Sequence, residues 1–219
     1  MRDKVSGELI IAASTIPGEF LLPPILAKFK HMHPAVRVQV AVSDSLTVIN
    51  GVMDNVYEVG FSGIAPEGQN LASFKLAGDE IVLIVFPDHP FARRGEVSPA
   101  ELDGEPLIFR EETSGTQRSL EALLSRAGLD LRRWTPHMVL GTTQAVVSAV
   151  EARAGIAFVS SLAIAKSLSL GLVRRIGVSG LKLNRDFYCI YRKERIVSRL
   201  LTEFLAFIQI EASRSEQGE

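Results

Sequence analysis

Cysteine is almost missing from this chain. Cys189 is the one thiol in 219 residues, and a lone cysteine excludes an internal disulfide framework. It lies in the apolar run 187–191, which reads as a place for a buried structural thiol and suits a reducing cytoplasm. Excess charge is missing too: 24 Lys and Arg face 25 Asp and Glu, for a formal net charge of -1. The chain therefore has no basic footprint for gripping nucleic acid by itself. No apolar run approaches the roughly 18 residues that a membrane span needs. The opening Met1-Arg2-Asp3-Lys4 lacks signal-peptide architecture, so a cytoplasmic protein is expected. Catalytic signatures are absent as well: there is no G-x-S-x-G elbow, no glycine-rich phosphate loop and no H-E-x-x-H. The four histidines, His31, His33, His89 and His137, are scattered. Only His31-x-His33 has a metal-type spacing, and it reads as a helix-end cap for carbonyls. No metal, no cofactor and no enzymatic activity are expected.

What is present is ordinary globular material, 47% apolar and 22% charged, in a pattern of strands alternating with helices. Residues 9–13 read as a strand, and 17–31 as a helix with Phe20, Leu21, Ile25, Leu26 and Phe29 on one face. Pro23 and Pro24 should kink that helix or delay its regular part. Residues 36–42 form a second strand, Ser45 or Thr47 can cap a helix running through Met53, and 59–62 form a third strand. A strong strand at 80–86 ends in Pro87-Asp88-His89-Pro90, read as a crossing into a second domain. Beyond it come strands at 106–109, 135–140, 155–159, 172–176 and 186–192. Helices are expected at 99–102, 117–126, 143–153, 161–169 and 200–211, with a frayed polar tail after Ser213. Alternation of this kind implies parallel pairing and right-handed crossovers.

Three strand-to-helix corners carry hydroxyls: Ser14-Thr15, Thr113-Ser114-Gly115-Thr116 and Thr142-Thr143-Gln144. Each alone is explained by N-capping, where Ser and Thr satisfy an orphan N–H. Together they fall where open α/β sheets bind ligands, beyond the carboxyl ends of the strands, and helix N-termini attract anions there. Gly115 allows close backbone approach or simply makes a turn. Glu111 and Glu112 are adjacent on an extended segment and point to opposite sides, so they read as a solvated edge and not as an acid/base pair. Arg110 could salt-bridge a ligand or pair with Glu111 or Glu112. The pairs Arg93-Arg94 and Arg132-Arg133 read as solubilising loop residues.

With these residues in view, the chain resembles the effector-binding domain of LysR-type transcriptional regulators, over about residues 7–207. The resemblance is carried by the opening G-E-L-I-I-A-A-S-T, the P-x-L-x-x-F-x-x-x-x-P run from Pro24 to Pro34, and Asp88-His89-Pro90-Phe91-Ala92. It continues in Glu112-Thr113-Ser114-Gly115-Thr116, Thr143-Gln144-Ala145-Val146 and Gly155-Ile156-Ala157-Phe158-Val159. It implies an α/β protein of two Rossmann-like lobes joined by two crossing strands, of the type 2 periplasmic-binding-protein kind. Lobe I would be 1–86 and 187–219, and lobe II 87–186. A small, anionic effector in the cleft between the lobes would modulate DNA binding and transcription. Ser14, Thr15, Ser62 and Gly63 would line it from the first lobe. Thr113, Ser114, Thr116, Thr142, Thr143 and Gln144 would line it from the second.

The Ser-Thr-Ile-Pro-Gly-Glu-Phe version looks closest to regulators of sulfur or related oxyanion assimilation. Two departures stand out. Tyr57-Glu58-Val59-Gly60 replaces the usual acidic-apolar-glycine run, and Gln117 stands where the family often has arginine, which argues against a strongly charged ligand. The family's winged helix-turn-helix is not in this sequence, so DNA would be reached only through that missing N-terminal domain. A homodimer or homotetramer is implied, the exposed apolar face of Leu22, Leu26 and Phe29 being compatible with subunit packing or with a core. The alternative is a periplasmic-type solute-binding protein for a small anion, and an enzyme on the same fold would need a titrating group in the cleft.

Overall fold

The computed structural model describes residues 5–68, 70–193 and 198–217. In chain order it runs β1 (Gly7–Ser14), a π-helical turn (Pro17–Leu21), α1 (Leu22–Met32), β2 (Val36–Ser43), α2 (Ser45–Met53), β3 (Val59–Ser62) and β4 (Leu71–Val85). It continues with β5 (Glu96–Val97), β6 (Leu107–Arg110), α3 (Gly115–Arg126), β7 (Met138–Leu140), α4 (Thr143–Glu151) and β8 (Ile156–Ser160). The last elements are α5 (Ala165–Ser169), β9 (Arg174–Val178), β10 (Asn184–Arg192) and α6 (Arg199–Gln217). Two compact units result: unit 1 is Met1–Gly78 with Asp186–Glu219, and unit 2 is Asp79–Arg185. The chain passes between them inside β4 and inside β10.

Unit 1 has the strand order β2-β1-β3-β10, with the first part of β4 at the end. β1 pairs parallel with β2 and β3, while β10 returns antiparallel to β3. Phe29 of α1 meets Phe204 of α6 edge-on at 5.0 Å between ring centroids, and Phe61 of β3 meets Phe204 at 6.4 Å. Leu22 and Phe29 are thus core residues of this unit, fully buried within one copy of the chain. Of the two readings open for the α1 face, core burial holds for Leu22 and Phe29, while Leu26 stays half-buried.

Unit 2 places β8 between β4 and β6, with β7 at the edge; β9 pairs β4 and β5. The alternation of a strand decides its packing. Ile81, Leu83 and Val85 of β4 join Phe109, Leu120, Leu124, Trp134 and Phe158 on one face. Val82 and Ile84 join Ile108, Val146, Val147, Val150, Ala157 and Val159 on the other. So α3 covers one side of the sheet and α4 the other. Parallel pairing holds for β6 with β7 and β8, while β4 runs antiparallel to β8 and β9.

Several sequence expectations need correction. The helix expected over 17–31 is two segments: five residues of π-helix, then α1, whose Pro23 and Pro24 sit in its first turn, where a missing N–H costs least. Asp44 caps α2, not Ser45 or Thr47; its carboxylate accepts from Leu46 N and Thr47 N, both at 3.0 Å. β4 begins at Leu71, nine residues before the strand expected at 80. α3 starts at Gly115, and the 135–140 strand shrinks to Met138–Leu140. The polar stretch after Ser213 continues as helix to Gln217.

Candidate functional site

In unit 2, β6, β7 and β8 run parallel and end on the same side, at Arg110, Leu140 and Ser160. The helices that follow start there. Ser114 caps α3, its hydroxyl accepting from Thr116 N at 3.2 Å, and Thr142 caps α4 by accepting from Ala145 N at 3.1 Å. For Ser114 and Thr142 the capping explanation of the sequence motif is therefore correct. Thr116, two residues past its cap, and Thr143, the residue next to its cap, are buried and do something else.

Each of these two hydroxyls accepts a hydrogen bond from a buried arginine. Arg110 Nη1 donates to Thr143 Oγ1 at 2.7 Å, and Arg185 Nη1 donates to Thr116 Oγ1 at 3.1 Å. Arg110 is held from its other side by Glu111, with Nε to Oε2 at 2.8 Å and Nη2 to Oε1 at 2.7 Å. Nη2 also reaches Gly141 O at 3.2 Å, tying the end of β6 to the loop before α4. Of the two alternatives for Arg110, the pairing with Glu111 is the one observed. Gln117, the residue standing where arginine is common, accepts from Arg110 N at 3.3 Å.

Arg185 has its own carboxylate. Its Nε donates to Asp79 Oδ2 at 2.8 Å, and its Nη2 lies 2.8 Å from the same oxygen. The other oxygen, Oδ1, accepts from Ser160 Oγ at 2.9 Å and Ser161 Oγ at 3.2 Å. Burial holds the Arg185 pKa below its ordinary value; Asp79 opposes that shift and the neighbouring Arg110 charge reinforces it. Two guanidiniums are thus packed near one another, each with a carboxylate, around the starts of two helices.

The remaining sequence candidates are placed as follows. Thr113, Thr142 and Gln144 are exposed, and Gln144 Nε2 donates to Ser148 Oγ at 3.4 Å. In unit 1, Ser14 is the buried last residue of β1, paired in register with Ser43, and Thr15 is half-buried beside it. The N-cap position of the π-helical turn is Ile16, which has no polar group to offer. Ser62 is fully buried and its hydroxyl accepts from Ile64 N at 3.2 Å, while Gly63 N donates to Ser45 Oγ at 3.4 Å. Asp79 and Arg185 were missed by sequence reasoning. They are 106 residues apart, and their only local signal is that each is a charged residue just ahead of an apolar crossing strand.

A cavity of about 530 Å³ adjoins Arg110, lined also by Phe109, Gln117, Leu131, Trp134 and Val139. Cys189 is fully buried and burial pushes its thiol pKa up, as expected for an inert structural cysteine. Among the described residues no group of His, Cys, Asp and Glu is arranged to hold a metal, and no helix is long and apolar enough to cross a membrane.

The chain has known relatives in sequence and in fold. The LysR substrate binding domain family matches residues 2–213. A probable RuBisCO transcriptional regulator of Cyanidioschyzon merolae is 32% identical over 202 residues, 91% of this chain and 67% of the relative. A regulator of the same description from Trichormus variabilis is 29% identical, and the chain spans 60% of its length. The Synechocystis PCC6803 CcmR regulatory domain in complex with 2-PG superposes with a TM-score of 0.84 at 21% identity, covering 94% of this chain and 97% of its own. The effector binding domain of QuiR in complex with shikimate gives 0.84 at 16% identity, covering 96% and 99%. At these identities the structural matches establish the fold.

Proposed function

Since this chain belongs to the LysR substrate binding domain family, we propose that it is the ligand-sensing part of a transcriptional regulator and takes a small anionic effector. The observation that carries this reading is the cluster in unit 2. Ser114, Thr116 and Thr143 stand at two helix starts, beyond the carboxyl ends of three parallel strands, beside two buried guanidiniums. Helix N-termini and hydroxyls at that position suit an oxyanion. The relatives' ligands are of the same chemical kind, since shikimate is a carboxylate. Thr15, Ser14, Ser62 and Gly63 are proposed as contacts from unit 1, and Thr113, Thr142 and Gln144 as outer contacts from unit 2.

No catalytic role is assigned to the cluster: its carboxylates, Asp79 and Glu111, are occupied by the arginines. DNA contact would belong to a segment outside this sequence, and the protein would work in the cytoplasm as a homodimer or homotetramer. Support for self-association comes from apolar side chains left exposed on sheet-edge and helix-end positions, Val42 of β2, Met138 and Val139 of β7 and Met32 of α1. Sedimentation at micromolar concentration checks it, and a monomer at all concentrations would contradict it.

A thermal-shift screen tests the effector reading. Its arms are 2-PG, shikimate, phosphonates, and the sulfate, thiosulfate and acetylserine set that a sulfur-assimilation regulator would need. A ligand at 100 times its dissociation constant adds about 2.7 kcal/mol to stability, a readily measured rise in melting temperature. Thr116→Val, at the same ligand concentration, should cut the response to about half or less. A panel of small anions with no stabilising member would sink the reading.

A further inference from the structure

Arg185 and Asp79 form a buried pair that is not accounted for by anything the family match requires. Arg185 is the last residue of unit 2 and Asp79 the first. The carboxylate is saturated: it accepts from Arg185, Ser160 and Ser161. With Nε donating to Asp79 Oδ2, the guanidinium is held so that Nη1 donates to Thr116 Oγ1.

A threonine hydroxyl has one hydrogen to give and lone pairs to accept with. Arginine can only donate. The bond from Nη1 therefore fills an accepting position of Thr116 and leaves its hydrogen to be given to something else. Among the described residues Thr116 donates that hydrogen to none. Arg110 imposes the same condition on Thr143.

We propose that Arg185, seated by Asp79, is a positioning residue that commits the Thr116 hydroxyl to donating, so that this position selects an acceptor oxygen on the ligand. With Arg110 acting likewise on Thr143, the recognised group is an oxyanion of the phosphate, phosphonate, sulfate or carboxylate kind, and a donor such as an ammonium is rejected. The inference rests on the reading above that the effector sits at these hydroxyls. It adds which residues dictate the polarity of the site: with Gln117 in place of an arginine, the charge would act through the hydroxyl.

The test follows amide shifts of Gly115, Thr116, Thr143 and Gln144 by NMR during titration with inorganic phosphate, using the whole chain. Wild type should show a saturable response. Thr116→Ser, which keeps the hydroxyl, should stay within about threefold of wild type. Thr116→Val, which keeps the shape, should lose about tenfold or more, the usual scale for a hydrogen bond to a charged group. Arg185→Lys keeps the charge but cannot hold Asp79 and Thr116 together, and should weaken binding similarly with the fold retained. The double variant Thr116→Val/Arg185→Lys should bind no worse than Thr116→Val, because Arg185 acts through that hydroxyl. Methylammonium, a donor-only probe, should leave the same amides unshifted.

Unweakened binding in Arg185→Lys, losses that multiply in the double variant, or a saturable methylammonium response overturns the positioning role. The site reading fails in a different way: phosphate, shikimate and sulfate then all leave wild-type amides at these positions unmoved.

Discussion

In unit 1 the start of α2 is occupied by the protein's own carboxylate, Asp44, which accepts from Leu46 N and Thr47 N, while Ser45 and Ser62 close the adjoining loop through Gly63 N and Ile64 N. In unit 2 the starts of α3 and α4 are capped by neutral hydroxyls and backed by two arginines. A helix N-terminus favours one negative charge. At α2 that charge is already supplied, whereas at α3 and α4 it is not. The two halves of the molecule share a strand-helix design but differ in what they leave for a ligand. On the function proposed above, unit 2 is the half that supplies the anion's helix starts.

The difference should be visible in stability, because its two corners are held by bonds of different strength. Asp79→Ala leaves Arg185 buried without its carboxylate, a situation that typically costs about 3–5 kcal/mol. Ser62→Ala removes one neutral bond to Ile64 N and should cost about 1 kcal/mol. Urea unfolding followed by circular dichroism compares them directly. Equal losses would mean that the Asp79 pair is no more than another loop-closing contact, and the contrast between the units would collapse.

A second pair probes how tightly each unit packs its strand against its neighbour. A Cβ at Gly155, just before β8, would fall inside contact distance of the Pro106 carbonyl oxygen, which is backbone and hydrogen-bonded to Ile156 N. At Gly60 of β3 the Cβ would meet Val52 Cγ2 at 2.8 Å and Val48 Cγ1 at 2.9 Å, side-chain methyls that can yield by a small shift of α2, whereas a backbone carbonyl cannot. Overpacking costs about 1–3 kcal/mol in general. Gly155→Ala should lie at or above the top of that range and Gly60→Ala near its bottom, read from the same urea midpoints. The reverse order would show that β3 and α2 are the more rigid contact.

How much of this was legible depends on the distance over which the information acts. The strand at 59–62 and the α4 start at Thr143 follow from local period and capping, and both stand where the sequence puts them. The first part of β4, residues 71–79, was not. Its LASFKLAGD carries small and charged residues because several of its positions are only partly buried, so it lacks the apolar run that marked 80–86. The corners mark Thr116 and Thr143 in the sequence, but not the arginines that bond them. Nothing in sequence links Asp79 to Arg185, since the pair exists only once β4 and β10 are both in place. Leu22 and Phe29 show the converse limit, since subunit packing and a core were both open for them. An apolar stripe announces burial without saying by what, and here α6 supplies Phe204 from 175 positions further along the chain, as the number difference between Phe29 and Phe204 gives.

The smallest expected effect separates the caps by pH. Asp44→Ala and Ser114→Ala each remove one N-cap and should each cost about 1 kcal/mol at neutral pH. Burial pushes the Asp44 pKa up, but the Thr47 hydroxyl and the Thr47 and Leu46 amides together outweigh it, leaving it below its ordinary 3.8. A carboxylate whose folded pKa is depressed contributes stability that is fully present above the unfolded value and is lost as pH falls through the folded one. Below pH 3.8 the cost of Asp44→Ala should therefore shrink toward zero, while the cost of Ser114→Ala, which has no proton to exchange in that range, should hold. Amide exchange at Leu46 and Thr47 against Thr116, followed from pH 6 down to pH 3 in both variants, reads the two separately. Parallel behaviour of the two caps would mean that Asp44 acts as a neutral hydrogen-bond acceptor, leaving the α2 start as open to an outside anion as the start of α3.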